Sequence, residues 1–365
     1  MRLQAFGAAV EAVVRPGDTV LDLASGSGIL GLLACRAGAI RVYSVEVGAM
    51  IEVARELARE NGYGDRVHFI KGFSTHVSIP ERVDVVVADQ IGNFGFNAGI
   101  IEYFADARAR FLRAGGLTIP QAIELIVCPL EAGELFANVE FWNTGPAGFD
   151  FSRVRPLAAN TGYQVDLAAQ SMLGAPVSLM SISLNSDNAA LLQSRVRAMV
   201  SRRGTLHGLG GWFDAELAAG IRMTNSPLSP NRIKRRQIYF PIDRPADVGE
   251  GDAVDIRMTI RPSDLLVGWT VEVYDAKSGA KKAASRHSTW KGMLADREDL
   301  ERTRPDFVPT LSPRGQARRT VVELCDSTRT VAQIEDETWE RHPGLFKSRS
   351  EVAEFVAEVV TRYAR

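Results

Sequence analysis

The sequence has 365 residues, 45% of them hydrophobic and 24% charged, which is the balance of a folded chain with two or three domains and excludes wholesale disorder. With 43 Lys and Arg against 44 Asp and Glu, its net charge of -1 argues against nucleic acid or an acidic membrane surface as a partner. No run approaches the roughly 20 apolar residues of a membrane helix, and the opening MRLQAFGAAVEAVV lacks the basic head and cleavage site of a secretory signal. Cys35, Cys128 and Cys325 lie far apart, so neither a disulfide framework nor a thiolate metal site is expected. The expectation is a cytoplasmic protein without a metal.

In chain order, the first 120 residues alternate strand and helix. TVLDLA (19–24) is a short apolar strand entering a glycine-rich turn, GILGLLACRAG (28–38) has helical spacing, and RVYSVE (41–46) is a second strand. AMIEVARELARENG (49–62) is an amphipathic helix stopped by Asn61 and Gly62, and RVHFI and RVDVVVAD supply two further strands. This alternation predicts a doubly wound parallel sheet with its ligand site at the carboxyl ends of the strands. From 121 to about 290, β-branched and aromatic runs (AIELIVCPL, VSLMSISL, RRQIYFPI, AVDIRMTI, WTVEVYD) alternate with turn residues and predict an antiparallel barrel or sandwich. Within it DNAALLQSRVRAMVSRRG reads as helical or irregular, and 275–289 as a polar loop. The last 65 residues predict a short strand followed by helices near 317–325, 330–341 and 349–364, with Val321, Val322, Leu324, Val352 and Phe355 in a small core.

The strongest chemical signal is Val20-Leu-Asp22-Leu-Ala24-Ser-Gly26-Ser-Gly28, with Glu46 ending the next strand. Glycines at a strand-to-helix turn admit a ligand close to the backbone, and a carboxylate on the following strand can hold ribose hydroxyls. A pyrophosphate would be repelled by Asp22, whereas a cofactor carrying a sulfonium and an amine would not. VLDLASGSGILGLLACRAGAIRVYSVE resembles the first motif of S-adenosylmethionine-dependent methyltransferases, and specifically of the protein arginine methyltransferases. The resemblance continues to residue 290 through RVHFIKGFSTHVSIPERVDVVVAD, the dimerisation-arm-like FWNTGPAGFDFSRVRPLA and the barrel-like LHGLGGWFDAEL. It implies a Rossmann-like cofactor domain at 1–120 and a barrel domain for substrate and dimerisation at 121–290. It also implies a homodimer or higher oligomer, with S-adenosyl-L-methionine as cofactor. It places Asp22, Ala24, Gly26 and Gly28 around the methionine part, Glu46 on the ribose, Thr75 near the adenine and Arg2 on the cofactor's carboxylate. Ala24 stands where the motif has its first glycine, and most of the family's capping helix is not matched, so that lid is either absent or supplied by a neighbouring subunit.

Arginine methyltransferases clamp a guanidinium between two glutamates on one loop, by bidentate charge-assisted pairing. The matching loop here runs from Val87 to Gly99, and the two glutamates are replaced by Asp89 and Ala98. The family's threonine–histidine–tryptophan motif is replaced by Ile233, Lys234 and Arg235, and basic groups there would repel a guanidinium. Asp89 is accordingly the expected catalytic residue, orienting an amine and helping to remove its proton, with Asn93 and Asn97 adding neutral hydrogen bonds. His207 is expected to be a packed barrel histidine.

The tail, 308–363, resembles the PqqD-like recognition elements that hold leader peptides of ribosomally made natural products, through Leu-Ser-Pro-Arg-Gly, LCDSTRTVAQI and a final helix with Val352, Phe355, Val356 and Val359. That resemblance implies a small winged-helix-like α+β domain at 300–365 that binds a precursor peptide by strand addition. Together the readings predict an N-methyltransferase acting on an amine of such a peptide, as in daptide-type pathways. The alternatives are an arginine methyltransferase and a cofactor-binding scaffold without activity.

Overall fold

A computed structural model describes residues 1–364 of the chain, in two compact units, Met1–Met293 and Leu294–Arg365. The first unit opens with helix α1 (Arg2–Val13), strand β1 (Thr19–Leu23), helix α2 (Ile29–Ala37), strand β2 (Arg41–Glu46) and helix α3 (Met50–Glu60). Strands β3 (Val67–Lys71) and β4 (Val83–Val87), helix α4 (Ile100–Arg110) and strand β5 (Leu112–Ile119) follow. The strands form one parallel sheet in the order β3-β2-β1-β4-β5. β1 lies at its centre, and every residue of it is buried. That is why TVLDL is apolar almost throughout: a parallel strand covered on both faces has no solvent side to make polar. The reversal of strand order around β1 opens a crevice at the carboxyl ends of β1, β2 and β4.

The chain continues directly from β5 into the second half of the unit. Strand β6 (Ala122–Leu130), helices α5 (Gly133–Glu140) and α6 (Arg155–Ala159), and strands β7 (Tyr163–Val165), β8 (Val177–Ser183), β9 (Leu192–Met199), β10 (Gly204–Ala218) and β11 (Ile221–Thr224) come first. Strands β12 (Gln237–Val248), β13 (Ala253–Arg261), β14 (Leu266–Tyr274) and β15 (Lys281–Ser288) complete two antiparallel sheets. One is ordered β7-β12-β10-β6-β8 with β11 on β10, the other β15-β14-β13-β9. Their inner faces close on Phe213, Phe240 and Trp269, all buried, while the buried Trp212 packs on the opposite face of β10 with Cys128, Leu130 and Tyr239. The result is a Rossmann-like parallel sheet followed by an antiparallel barrel-like domain. Among the described residues no helix is long and apolar enough to cross a membrane.

Two stretches differ from the sequence-based expectation. The one read as helical or irregular contains β9, in which Gln193, Arg195 and Arg197 point outward while Leu192, Val196 and Ala198 face the core. The alternation was present in the sequence, but short apolar positions flanked by arginines also suit a helix face, and pairing with β13 decides the outcome. The polar stretch 275–289 contains β15, an edge strand whose polarity reflects its exposure and whose Lys281 pairs with Glu272 on β14.

The second unit is helical. A turn of helix (Thr289–Gly292), α7, precedes it; α8 (Arg297–Arg302), α9 (Pro313–Leu324), α10 (Val331–Arg341) and α11 (Arg349–Tyr363) compose it. The last three match the predicted helices within a few residues. Ser312, Thr330 and Ser348 cap them, Thr330 in a reciprocal capping box with Gln333. The core is Ala317, Val321, Leu324, Ile334, Phe346, Val352, Phe355, Val356 and Val359. Val322, expected inside, is 44% exposed. The winged-helix-like α+β expectation is corrected here, because this unit contains no strand among the described residues. The stretch expected to supply one is instead capped by Asp296 and runs as charged helix, with Arg297 paired to Glu301. Without a strand edge, peptide capture by strand addition has no template in this unit.

Candidate functional site

The turn after β1 is built by backbone conformation and by two carboxylates. Ala24, Gly26 and Gly28 all have positive φ, at 52°, 53° and 75°. At Gly28 a β-carbon would stand 3.3 Å from the Ala54 side chain, so glycine is needed there for close packing as well as for its dihedral. Ala24 holds the left-handed conformation with a side chain, at a cost of about 1 kcal/mol. Asp22 is fully buried, and its Oδ2 accepts a hydrogen bond from the Gly31 N–H in the first turn of α2 at 2.9 Å. Glu46, ending β2, accepts from the Gly26 N–H at 2.9 Å and from the Gly48 N–H at 2.7 Å. The turn is therefore clasped from both sides by acceptors on adjacent strands.

Beside it lies a cleft of about 290 Å³ at the carboxyl ends of the strands, where Ala24 and Glu46 meet Phe73, Ser74, Gln90 and Tyr103. Its chemistry fits S-adenosylmethionine. The Glu46 carboxylate has lone pairs left for a diol, Phe73 presents an exposed ring, and the second oxygen of Asp22 is buried without a partner. Asp22 sits behind the turn and acts through it. Thr75 is exposed and does not line the cleft, where Ser74 takes the place expected of it. Phe73, Ser74 and Gln90 follow β3 and β4 directly, so their position after a parallel strand was the signal that sequence reasoning passed over. Tyr103 arrives from α4 and carried no such signal.

Burial pushes the Asp22 carboxyl up to about 7; the Gly31 hydrogen bond works against this and the Glu46 charge adds to it. The folded protein thus binds this proton more tightly than the unfolded chain does, whose carboxyl titrates near 3.8. Between about pH 4 and 7 the group takes stability away as pH rises. We expect the melting temperature of the cofactor-free protein to fall across that range, and Asp22→Asn to flatten the fall. Equal slopes in both proteins would remove Asp22 as the cause.

The second half of the site is the loop after β4, where the Asp89 carboxylate is held by two guanidiniums. Arg235 Nη2 donates to both of its oxygens at 3.4 Å, and Arg2 lies 3.2 Å away. Arg235 is fixed further by donating from Nη1 to the Gly92 carbonyl at 3.2 Å. Burial raises the Asp89 carboxyl above its ordinary value, while Arg235 and Arg2 oppose the rise. The Arg2 guanidinium, expected at the cofactor's carboxylate, lies here on Asp89. Asn97 is committed to the loop itself, its side-chain oxygen accepting from the N–H groups of Asn93 and Phe94 at 2.8 and 3.0 Å. The Asn93 carbonyl accepts from Nδ2 of the buried Asn225 at 2.8 Å, and the same Nδ2 donates to the Arg236 carbonyl at 2.9 Å. Asn225 thereby joins the loop to the 231–237 segment of the barrel, a link that no local pattern announced. Gly95 lies flush on the barrel, since a β-carbon there would fall 2.4 Å from Leu125. His207 is a packed histidine whose Nδ1 accepts from the Ala132 N–H.

The molecule resembles known proteins along both halves of this unit. Residues 7–123 match the protein-family model described as ribosomal protein L11 methyltransferase, and 121–267 match that of the arginine methyltransferase oligomerization subdomain. Protein arginine N-methyltransferase 6 of Xenopus laevis is 26% identical over 261 residues, 68% of this chain and 76% of that protein. Protein arginine N-methyltransferase 1 of Chlamydomonas reinhardtii is 29% identical over 216 residues, 58% of this chain and 62% of its own. Among solved structures, the Trypanosoma brucei PRMT1 enzyme–prozyme heterotetramer with AdoHcy superposes with a TM-score of 0.72 at 21% identity, over 79% of this chain and 94% of that one. Arabidopsis thaliana protein arginine methyltransferase 10 does so with a TM-score of 0.68 at 24% identity and the same coverage.

Proposed function

We propose that this chain, an S-adenosylmethionine-dependent methyltransferase of arginine-methyltransferase-like architecture, methylates an amine of a peptide. The cofactor supplies an electrophilic methyl group on a sulfonium. The chain's residues have to bind it, bring a nitrogen lone pair into line with it, and leave that nitrogen unprotonated. The observation that carries the reading is the pairing of Asp89 with both Arg235 and Arg2. One carboxylate between two guanidiniums leaves a local net positive charge. At roughly 5 Å and an effective dielectric constant near 20, each guanidinium repels an arriving cation by about 3 kcal/mol before salt screening. An aliphatic amine escapes that repulsion by losing its proton, and the same positive charges lower its pKa and favour the loss. An arginine guanidinium stays charged. Asp89, half-buried and raised in pKa, then orients the neutral amine and accepts one proton from the methylated ammonium that forms, while the sulfonium's carbon–sulfur bond breaks and its electron pair stays on sulfur.

A second reading, transfer to arginine, is favoured by the names of the two relatives described above, both protein arginine N-methyltransferases. It requires Asp89 alone to do the work of the clamp, because Ala98 has no carboxylate to offer. Two peptides identical except for a free amine or an arginine at the acceptor position, incubated with cofactor and followed by mass spectrometry in steps of one methyl, separate the readings. We expect methylation of the amine-bearing peptide and none of the arginine-bearing one; the reverse pattern would establish arginine.

A precursor peptide remains our proposed partner, with the helical unit as its docking element. In place of a strand edge this unit offers a groove of about 580 Å³ between α9, α10 and α11, in which Val322, Val331 and Tyr363 expose apolar surface. A peptide tethered there would raise its effective concentration at the catalytic site, so the same assay on full-length and leaderless substrates should show a lower KM for the longer one. For the arm-like stretch 141–158, the exposed Phe141, Phe149 and Phe151 support self-association.

A further inference from the structure

The 232–237 segment carries a concentration of charge of which the methyl-transfer site uses only Arg235. It borders a cleft of about 340 Å³ whose charged lining is Arg232, Lys234, Arg235 and Arg236 against a single carboxylate, Asp166. The chain as a whole has a net charge of -1, so four cations in five residues are a local feature and not the background. The segment is held in one alignment. Ile233 is buried, and Gln237 is buried with its side-chain nitrogen donating to the carbonyls of Asn225 and Arg235. That alignment turns Arg235 inward to Asp89 and leaves Arg232, Lys234 and Arg236 exposed. Arg236 stands 3.7 Å from Asp166, with both side chains more than half exposed, a pairing too weak to neutralise it. Lys234 has no carboxylate partner among the described residues.

We propose that this cleft is the subsite for an acidic stretch of the substrate peptide, taking Asp or Glu side chains that flank the reacting nitrogen. The proposal rests on the reading that the acceptor is a peptide. Each carboxylate seated there offsets a surplus cation, and Arg235, at the junction of cleft and acceptor slot, places the acidic stretch beside Asp89. The charge also discriminates by exclusion, since a lysine- or arginine-flanked peptide meets like charge at the same positions.

The test is binding of a peptide that offers no nitrogen to methylate, so that its outcome does not depend on which nitrogen the enzyme modifies. N-acetylated, C-amidated pentaglutamate and pentaglutamine, which carry no amine or guanidinium, are titrated by calorimetry into the full-length protein with S-adenosylhomocysteine present. Pentaglutamate is expected to bind at least about tenfold more tightly than pentaglutamine at low ionic strength, with the difference shrinking as salt is added. Charge reversal by Lys234→Glu with Arg236→Glu, both at exposed positions, should abolish the preference. Lys234→Gln with Arg236→Gln should reduce it, and this milder pair decides the matter if the reversed protein does not melt like the wild type. Equal affinity for pentaglutamate and pentaglutamine, or a pentaglutamate affinity untouched by the substitutions, overturns the proposal.

Discussion

Asp89→Asn should lower kcat by about 10²-fold or more, while the affinity for S-adenosylmethionine stays near that of the wild-type protein. The substitution preserves shape and leaves an amide oxygen able to accept from Arg235, so the loop has no steric reason to move. What disappears is the negative charge between two guanidiniums. Arg235, fixed by the Gly92 carbonyl, cannot withdraw, and the slot becomes a pair of unneutralised cations. The amine then loses both its orienting acceptor and the group that takes its proton. The separation of kcat from cofactor affinity is the telling part, since Asp89 is not among the residues lining the cleft of Ala24 and Glu46. Normal turnover in the variant would shift proton removal to solvent and deprive Asp89 of its assigned role.

The second large effect is expected from Glu46→Ala, which should weaken S-adenosylmethionine binding by at least tenfold in calorimetry. Glu46 holds the Gly26 and Gly48 N–H groups, and its remaining lone pairs face the cleft where a ribose would sit. Hydrogen bonds to a charged acceptor contribute about 1.5–3 kcal/mol each, so losing even one exceeds a tenfold change. Glu46→Gln is the useful companion, because it retains one acceptor oxygen and should fall between wild type and alanine. Unchanged affinity in a folded Glu46→Ala protein would mean that the cofactor lies elsewhere.

The parts of the site that a reader of the sequence can find are those encoded over short spans. A strand, a tight turn and a helix must follow one another over a short span, so the spacing of Asp22, Gly26, Gly28 and Glu46 predicted a ligand turn, and the resemblance supplied the cofactor and the role of each residue. Asp89 came instead from the resemblance, which aligns its loop with the family's glutamate loop; the structure places it just after the apolar strand β4. Arg235 was recognised as a basic residue at an equivalent position, but its contact with Asp89 spans 146 residues, and no local rule predicts which partner such a side chain will choose. Asn97 shows the opposite error. It has a polar side chain on the right loop, yet two backbone donors within four residues had already claimed its oxygen. β9 and β15 were missed because their partners, not their own propensities, make them strands. The helical unit was read correctly where capping residues mark its ends and incorrectly where the resemblance implied a strand, which its described residues do not contain.

The buried Asn225 amide also has a bearing on how this enzyme can change. One nitrogen fastens the loop after β4 and the basic segment to each other, while the glycine turn and its two carboxylates are secured by hydrogen bonds within β1, β2 and the start of α2. The hydrogen bonds that shape the donor turn are thus separate from those that hold the basic segment, and the two regions meet at the Asp89–Gln90 step. Substitutions at 232, 234 and 236 can redraw the charge that a substrate meets without disturbing the donor. The charge preference for a substrate could in this way change while the methyl donor stayed the same.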